Sequence, residues 1–485
     1  MANLDTTTIL RRSVQGVLSF ASRSLFIQLV NIISMLILAA YLNESAFGVF
    51  YIVSAVIAFL MYFSDIGLAA ALIQKKEEIT DDDLRTTFTI QQILVVSLVV
   101  IALSSSSLVA WFYHLDTLGL WLFQALVIAF FLSSLKTIPS IILERKLEFS
   151  RLVIPQIAET IVYNAIVVIL AIRGWNVLSF AIAILARGAV GLIVIYIISP
   201  WKPSIGISKQ SAKRLLSFGF PFQLNSVLAL LKDDMLIIYL GSVLTRGEMG
   251  LIGFSQKIAY TPLRFAMDNV IRITFPSFSR LQGNLYALKT AIEKTLFIII
   301  AITGPMLFGL VVLSPYLVNV IPKYSRWEPA LLSLVFFAGN ALLSSISTPL
   351  TNFLNAIGKV QTTLKLMTFW LMATWVTTLL AVKFFGYNGV AIASFIVSLS
   401  VLLVIFIVRK YIAFNVSKSI GPPLVSSIVM GIFIYFLARQ YVVDVPTLLV
   451  TIVVGAIVYF AILYAIAKNE LQRDIKLIIR VIREK

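Results

Sequence analysis

The chain has 485 residues, of which 60% are hydrophobic and 13% charged, with a formal net charge of +17. So low a charged fraction excludes an ordinary soluble enzyme of this length, because soluble domains carry about 25% charge. With no cysteine and a single histidine, His114, the chain has no disulfide, no cysteine-ligated cluster and no histidine-rich metal centre.

The predicted elements are membrane helices from one end to the other. A helix crossing lipid needs about 20 mostly apolar residues. Runs of that kind fall at 14–41, 46–72, 86–111, 118–142, 151–172, 175–198, 211–240, 248–277, 286–311, 327–354, 360–382, 388–408, 418–438 and 446–467. The start is polar through Thr8, and Arg11 and Arg12 then precede a long apolar run with no small-residue cleavage pattern. It reads as a retained first helix and not a cleaved signal peptide. The stretch Leu313–Ile321 is apolar but short and contains Pro315, and is expected to form a lid or interfacial segment. After Ala467, Leu471, Ile475, Ile478 and Ile482 recur at helical spacing among Lys468, Arg473, Lys476, Arg480, Arg483 and Lys485. That pattern predicts a basic amphipathic helix on the inner leaflet, with anionic lipids as its partner.

The fold class is therefore all-α: a polytopic membrane protein of about fourteen transmembrane helices, arranged as two six-helix lobes plus two C-terminal helices. The expected partition is an N-terminal lobe at 1–199, a cytoplasmic linker at 200–210 and a C-terminal lobe at 211–410. Two further helices at 411–467 and the basic tail at 468–485 complete it. Pro200 and Pro203 stiffen the linker, whose backbone needs no regular pairing. The halves echo each other weakly, with N-E-S-A-F-G at Asn43–Gly48 and T-R-G-E-M-G at Thr245–Gly250.

Charge orients this layout. With both termini in the cytoplasm, inner segments hold Lys75, Lys76 and Arg85, then Arg145, Lys146 and Arg151, then Lys202, Lys209, Lys213 and Arg214. The opposite side holds only Arg173, Arg246, Lys323, Arg326, Lys383 and Arg439. This is the positive-inside bias. It also explains the basic excess as membrane flanks and not as a nucleic-acid surface.

Charges inside the spans are costly and so informative. The first six helices offer Arg23, Asp65, Glu159 and Arg187, and the next two offer Lys232, Asp233, Asp234, Lys257, Arg264, Asp268 and Arg272. In the eighth span Lys257, Arg264, Asp268 and Arg272 recur at intervals of seven, four and four, broadly on one face. One acid does not neutralise three bases, so a wet, anion-attracting cavity is expected there. Arg23, Arg187, Lys257, Arg264 and Arg272 are the candidate substrate-binding residues, because guanidinium and ammonium groups grip phosphate. Asp65, Glu159, Lys232, Asp233, Asp234 and Asp268 are candidates for ion pairing, gating, or proton or sodium coupling. Internal ion pairing, with Arg272 snorkelling to headgroups, accounts for the same residues without a ligand. No catalytic constellation, metal site or resident cofactor is read from the chain. Gly358-Lys359 lacks the upstream glycine of a phosphate-binding loop.

Several short patches carry a resemblance. These are Ser64-Asp65-Ile66-Gly67-Leu68 with Ala71-Leu72-Ile73-Gln74-Lys75-Lys76, then Ile141–Phe149 (I-I-L-E-R-K-L-E-F). Ser199-Pro200-Trp201-Lys202-Pro203, Phe218-Gly219 and Phe275–Gln282 (F-P-S-F-S-R-L-Q) follow. In this order they resemble the polysaccharide-transport (Wzx-like) family of oligosaccharide flippases, within the multidrug/oligosaccharidyl-lipid/polysaccharide exporter superfamily. The resemblance implies two helical lobes facing a cavity with alternating access, and transport without covalent chemistry. It implies an undecaprenyl-pyrophosphate-linked oligosaccharide as cargo, moved from the inner to the outer leaflet of the bacterial cytoplasmic membrane. It places the chain in O-antigen, capsule or exopolysaccharide assembly, with a polysaccharide polymerase and a chain-length regulator as candidate partners. The alternatives are a cation-coupled multidrug exporter and a peptidoglycan lipid-precursor flippase of the same superfamily.

Overall fold

The computed structural model describes residues 26–483 apart from 76, 147, 225–226 and 282. Side chains are described for these except 218, 220–222, 224, 268–269, 272–273, 275–277, 279–280 and 469–483. Among the described residues every regular element is helical. Two compact units pack separately, Met1–Gly250 and Leu251–Lys485.

The first unit holds α1 (Phe26–Tyr41), α2 (Glu44–Tyr62), α3 (Leu68–Gln74), α4 (Asp81–Ser104), α5 (Ser106–Phe112) and α6 (Thr117–Ser134). It continues with α7 (Thr137–Arg145), α8 (Phe149–Ile172), α9 (Val177–Ile198), α10 (Lys209–Leu224), α11 (Val227–Lys232) and α12 (Asp234–Val243). Helix α13 (Arg246–Arg280) begins in it and runs into the second unit. There follow α14 (Leu285–Val320), a 3-10 turn (Tyr324–Ala330), α15 (Leu331–Ala356), α16 (Val360–Phe385) and α17 (Asn388–Ser398). The last are α18 (Val401–Arg409), α19 (Val416–Tyr441) and α20 (Val445–Arg483), the last kinked at Ala467. Among the described residues eleven helices are long and apolar enough to cross a membrane, and Phe26–Tyr41 is apolar but shorter.

The chain begins its helices with polar caps. Asn43, Asp116, Asn284 and Asn415 each accept from a backbone N–H three residues on, and Thr80 and Asp83 form a reciprocal capping box. Within the spans, hydroxyls bond back to carbonyls four residues earlier, as in Thr303 to Ile299 and Ser427 to Pro423. That internal pairing is what lipid demands of any polar group it surrounds.

Several expected spans are broken. The second divides around Asp65–Gly67, the fourth around Leu135–Lys136, and the seventh into α10, α11 and α12. The expected lid at Leu313–Ile321 does not form, because α14 continues through it to Val320. Pro315 is accommodated because Leu313 is buried with Met430 and Ile434 of α19, which holds the helix in line. The expected readings at Arg11, Arg12 and Arg23 lie outside the described residues. The amphipathic face at Leu471, Ile475, Ile478 and Ile482 likewise lies outside the described side chains.

The echo between the halves has a physical counterpart. Thr245 and Glu248 cap the start of α13 as Asn43 caps α2. A Cβ on Gly48 would overlap the carbonyl of Arg246, and one on Gly250 the carbonyl of Glu44. Each glycine therefore sits on a carbonyl four residues before the other, so the two helix starts cross reciprocally at backbone contact.

Candidate functional site

In the first unit the charges gather where a helix breaks. Helix α6 ends at Ser134 and α7 starts at Thr137, leaving Lys136 between them. The side chains of Gln91 and Gln92 on α4 flank the break, donating to Thr137 and Ser134. Lys136 Nζ lies 2.6 Å from Glu159 Oε1 on α8, and Arg187 Nε on α9 lies 3.4 Å from Oε2. Glu159 fits because position 191 of α9 is glycine, where a Cβ would overlap its carboxylate. The Arg187 guanidinium also stands 5.9 Å from the centre of the Tyr163 ring.

The two cations are held unequally. The side chains of Lys136 and Glu159 are 16% and 11% exposed, while that of Arg187 is 53% exposed. Lys136 satisfies the buried acid, and Arg187 presents its remaining N–H groups outward. Sequence reasoning found Glu159 and Arg187 separately but passed over Lys136, which lay inside a run counted as a span. Its signal was a lysine deep in an apolar stretch, three residues before Pro139.

In the second unit, Lys257 and Arg264 lie two turns apart on α13, about 10 Å along the axis. Both side chains are exposed, and among the described residues neither has a carboxylate within 4.0 Å. Tyr260, between them in sequence, donates to Asn340 Oδ1 at 2.9 Å, and Asn340 donates to the Ser394 carbonyl at 2.7 Å. The Ser255 hydroxyl donates to the Ala330 carbonyl, and Phe254 stacks on Trp327 at 3.9 Å. These contacts tie α13 to α15 and α17, so the cations stand on a fixed backing. Asp268 and Arg272 lie on the same helix, but their side chains lie outside those described.

The remaining candidates are structural in their contacts. Lys232 pairs with its neighbour Asp233 at 2.5 Å. Asp233 and Asp234 line a cleft of about 370 Å³ with Ala58, Tyr62 and Leu230. Asp65 accepts from the Ala69 N–H at 3.1 Å and so caps α3, after a turn in which Ile66 and Gly67 take φ of 47° and 74°. Among the described residues, no group of three or more histidine, aspartate or glutamate side chains is placed to hold a metal.

The family-like patches that lie before residue 220 converge elsewhere in the first unit. Arg145 donates to the carbonyls of Leu72, Lys75 and Glu77. Lys75 and Arg214 both bind Asp83, at 2.5 and 2.6 Å, and the Asp83 side chain is 0% exposed. Trp201 packs edge-on against Phe88, and Gly219 touches the backbone of Gly67. The linker backbone also finds partners: the Gly206 and Ser208 N–H groups donate to the hydroxyls of Thr89 and Thr86, each at 2.9 Å. This is a docked strap on α4, paired with side chains and not with another strand.

Comparison with known proteins agrees with these observations. A family described as polysaccharide biosynthesis protein matches residues 37–331. The chain is 23% identical over 363 residues to the lipopolysaccharide biosynthesis protein WzxC of Escherichia coli, covering 74% of this chain and 73% of that one. It is 20% identical over 457 residues to the succinoglycan biosynthesis transport protein ExoT of Rhizobium meliloti, covering 90% of each. An uncharacterized membrane protein in the cps region of Klebsiella pneumoniae is 25% identical over 349 residues, 70% of each chain. In fold, the chain is similar to the lipid II flippase MurJ in an inward closed conformation, with a TM-score of 0.75 over 93% of this chain and 99% of that one at 16% identity. An inward-facing multidrug transporter of the MATE family gives a TM-score of 0.64 over 79% and 94%, also at 16% identity.

Proposed function

The chain belongs to the polysaccharide biosynthesis protein family, and from that premise we propose that it is a flippase for undecaprenyl-pyrophosphate-linked oligosaccharide. It moves the lipid-linked repeat unit from the inner to the outer leaflet of the bacterial cytoplasmic membrane by alternating access, without covalent chemistry, with both termini in the cytoplasm. Its product feeds O-antigen, capsule or exopolysaccharide assembly, where a polymerase and a chain-length regulator are the expected partners. The single observation that carries the reading is the pair Lys257 and Arg264, exposed and, among the described residues, without acid partners on a helix expected to span the membrane.

Two like charges in such a place need water or a mobile counter-ion to lower their energy. A pyrophosphate supplies it, and guanidinium and ammonium groups are the groups that bind it. Within the first unit, Arg187 is by itself a half-exposed cation of the same kind, with Glu159 keeping it in position. The lipid tail stays in hydrocarbon while the head crosses, which avoids exposing its methylenes to water at about 0.8 kcal/mol each. An inside-negative potential assists outward movement of uncompensated negative charge, by about 2.3 kcal/mol per charge per 100 mV. Asp65 serves as a helix cap and Glu159 is already bound to two cations, so neither is a free carrier for coupled protons or sodium ions.

A cation-coupled multidrug exporter is the second reading, and the acidic cleft at Asp233 and Asp234 is the observation in its favour. Lys232 offsets Asp233 there, and the α13 cations Lys257 and Arg264, with no carboxylate partner among the described residues, oppose an organic cation as cargo.

The test uses proteoliposomes loaded with the lipid-linked oligosaccharide that accumulates in cells deleted for this gene. The protein is expected to make the glycan accessible to a membrane-impermeant glycosidase without altering it chemically. Arg264→Ala is expected to slow that exposure at least about tenfold, the loss of one charged contact of about 1.5–3 kcal/mol, with insertion intact. Transport unchanged in Arg264→Ala removes the basis of the reading. A pH and sodium series then separates ion coupling from facilitated movement.

A further inference from the structure

Helix α15 carries an uncharged polar ladder that the anion site does not use. Asn340 is fixed by Tyr260 and by the Ser394 carbonyl. Ser344, Thr348 and Asn352 follow at four-residue intervals, so they stack on successive turns along one side of the helix. All three are half-buried, and among the described residues none of their side chains has a hydrogen-bond partner. Neighbouring hydroxyls behave differently: Ser345 and Thr351 donate back to the carbonyls of Leu342 and Thr348. One turn further, Asn355 Oδ1 is buried with no partner among the described residues.

In hydrocarbon a hydroxyl or amide without a partner costs free energy, so these side chains are placed for water or for a ligand and not for lipid. Their position selects the ligand. The bonds from Ser255 to Ala330, just before α15, and from Tyr260 to Asn340 within it bring α13 and α15 together running in the same direction. One turn beyond Tyr260 lies Arg264, and one turn beyond Asn340 lies Ser344, so the ladder starts level with Arg264 and runs on in the direction away from Lys257.

We propose that Ser344, Thr348 and Asn352 form a glycan subsite, taking the hydroxyl groups of the sugars attached to the pyrophosphate that Lys257 and Arg264 attract. Neutral amides and hydroxyls both donate and accept, as sugar hydroxyls do, and they carry no charge to hold the cargo too tightly for release. The subsite rests on the flippase reading, and it adds what that reading lacks: a means of sensing that sugar is attached.

The experiment measures binding to protein in nanodiscs with two probes. One is the lipid-linked oligosaccharide accumulated by the deletion strain, and the other is undecaprenyl pyrophosphate without sugar. The triple variant Ser344→Ala, Thr348→Val, Asn352→Leu is expected to weaken the sugar-bearing lipid about tenfold or more, the loss of two or three net hydrogen bonds. Its affinity for the sugar-free lipid stays unchanged. Thr348→Val alone, which keeps the side-chain volume, is expected to move the same way by a smaller factor, so a fold defect in the triple variant does not decide the matter. Equal weakening of both probes, or weakening of neither, overturns the subsite and leaves a ladder that only holds water. Lys257→Ala with Arg264→Ala is expected to weaken both probes. If it weakens neither, the anion reading falls, while the difference between the probes still judges the ladder by itself.

Discussion

In the first unit, Asp83 and Glu159 each hold two cations against one buried carboxylate. In the second, Lys257 and Arg264 stand exposed with no such acid among the described residues. The difference is one of counter-charge. An acid that gathers cations closes a local account of charge and fixes the elements that bring them. Cations left without an acid leave that account open to something that arrives from outside. Glu159 lies between these cases, because Lys136 satisfies it while Arg187 remains half-exposed.

The widest test of this contrast is Asp83→Ala. It leaves Lys75, whose side chain is 6% exposed, without compensation. The expected cost is about 3 kcal/mol, toward the low end for a broken buried pair because the Arg214 side chain is 46% exposed. Thermal unfolding of the detergent-solubilised protein measures it. A variant as stable as the parent removes Asp83 from its structural role.

Glu159→Gln comes next, with an expected loss of about 2 kcal/mol, since Lys136 keeps a neutral acceptor but loses its charge partner. Adding Lys136→Met to it restores charge balance, and recovery of most of that stability is the expected result. Transport by the double variant then shows whether Arg187 works when Glu159 no longer holds it. No recovery in the double variant would mean that Lys136 and Glu159 do not act as a pair.

Against these, Lys257→Ala with Arg264→Ala is expected to leave stability unchanged or slightly raised, because like charges repel. Transport falls at least about tenfold in the same variant. Loss of stability on the scale of Asp83→Ala would place these two residues with the structural charges and erase the contrast.

Much of this was legible beforehand. The apolar runs and the positive flanks identify a multi-pass helical membrane protein, because lipid leaves the backbone few ways to satisfy itself. The helix breaks were harder to see. Lys136 lies in an apolar run, and only the proximity of Glu159, 23 residues later, explains how the run tolerates it. Patches of the first unit bind one another, as Arg145 does with the carbonyls from Leu72 to Glu77, and none of those contacts reaches Lys257 or Arg264. The described family-like contacts and the two cations proposed to meet the cargo are thus different sets. The ladder on α15 escaped notice because serine, threonine and asparagine carry no charge to betray them. Hydropathy averages them away, and only unpaired hydrogen bonds in a folded helix single them out.

Asp444 gives the smallest expected effect and a third kind of acid, fully exposed and, among the described residues, bound to no cation. It stands just before α20 and accepts from the hydroxyl and the N–H of Thr447, at 2.6 and 2.9 Å. Those two donors hold its carboxyl below the usual aspartate range, the hydroxyl contributing first. A depressed folded-state value means that the cap stabilises the native state above the unfolded aspartate value, about 3.9. That contribution is lost as pH falls through the folded value. Asp444→Ala is therefore expected to speed amide hydrogen exchange in the first turns of α20, around Thr447 to Thr451, near neutral pH. The difference from the parent should shrink on acidification. Neither global unfolding nor transport should move, because no charge is stranded when this acid is removed. If transport did fall, exposure and the lack of a cation partner would no longer separate acids that only shape a helix end from charges that meet the cargo.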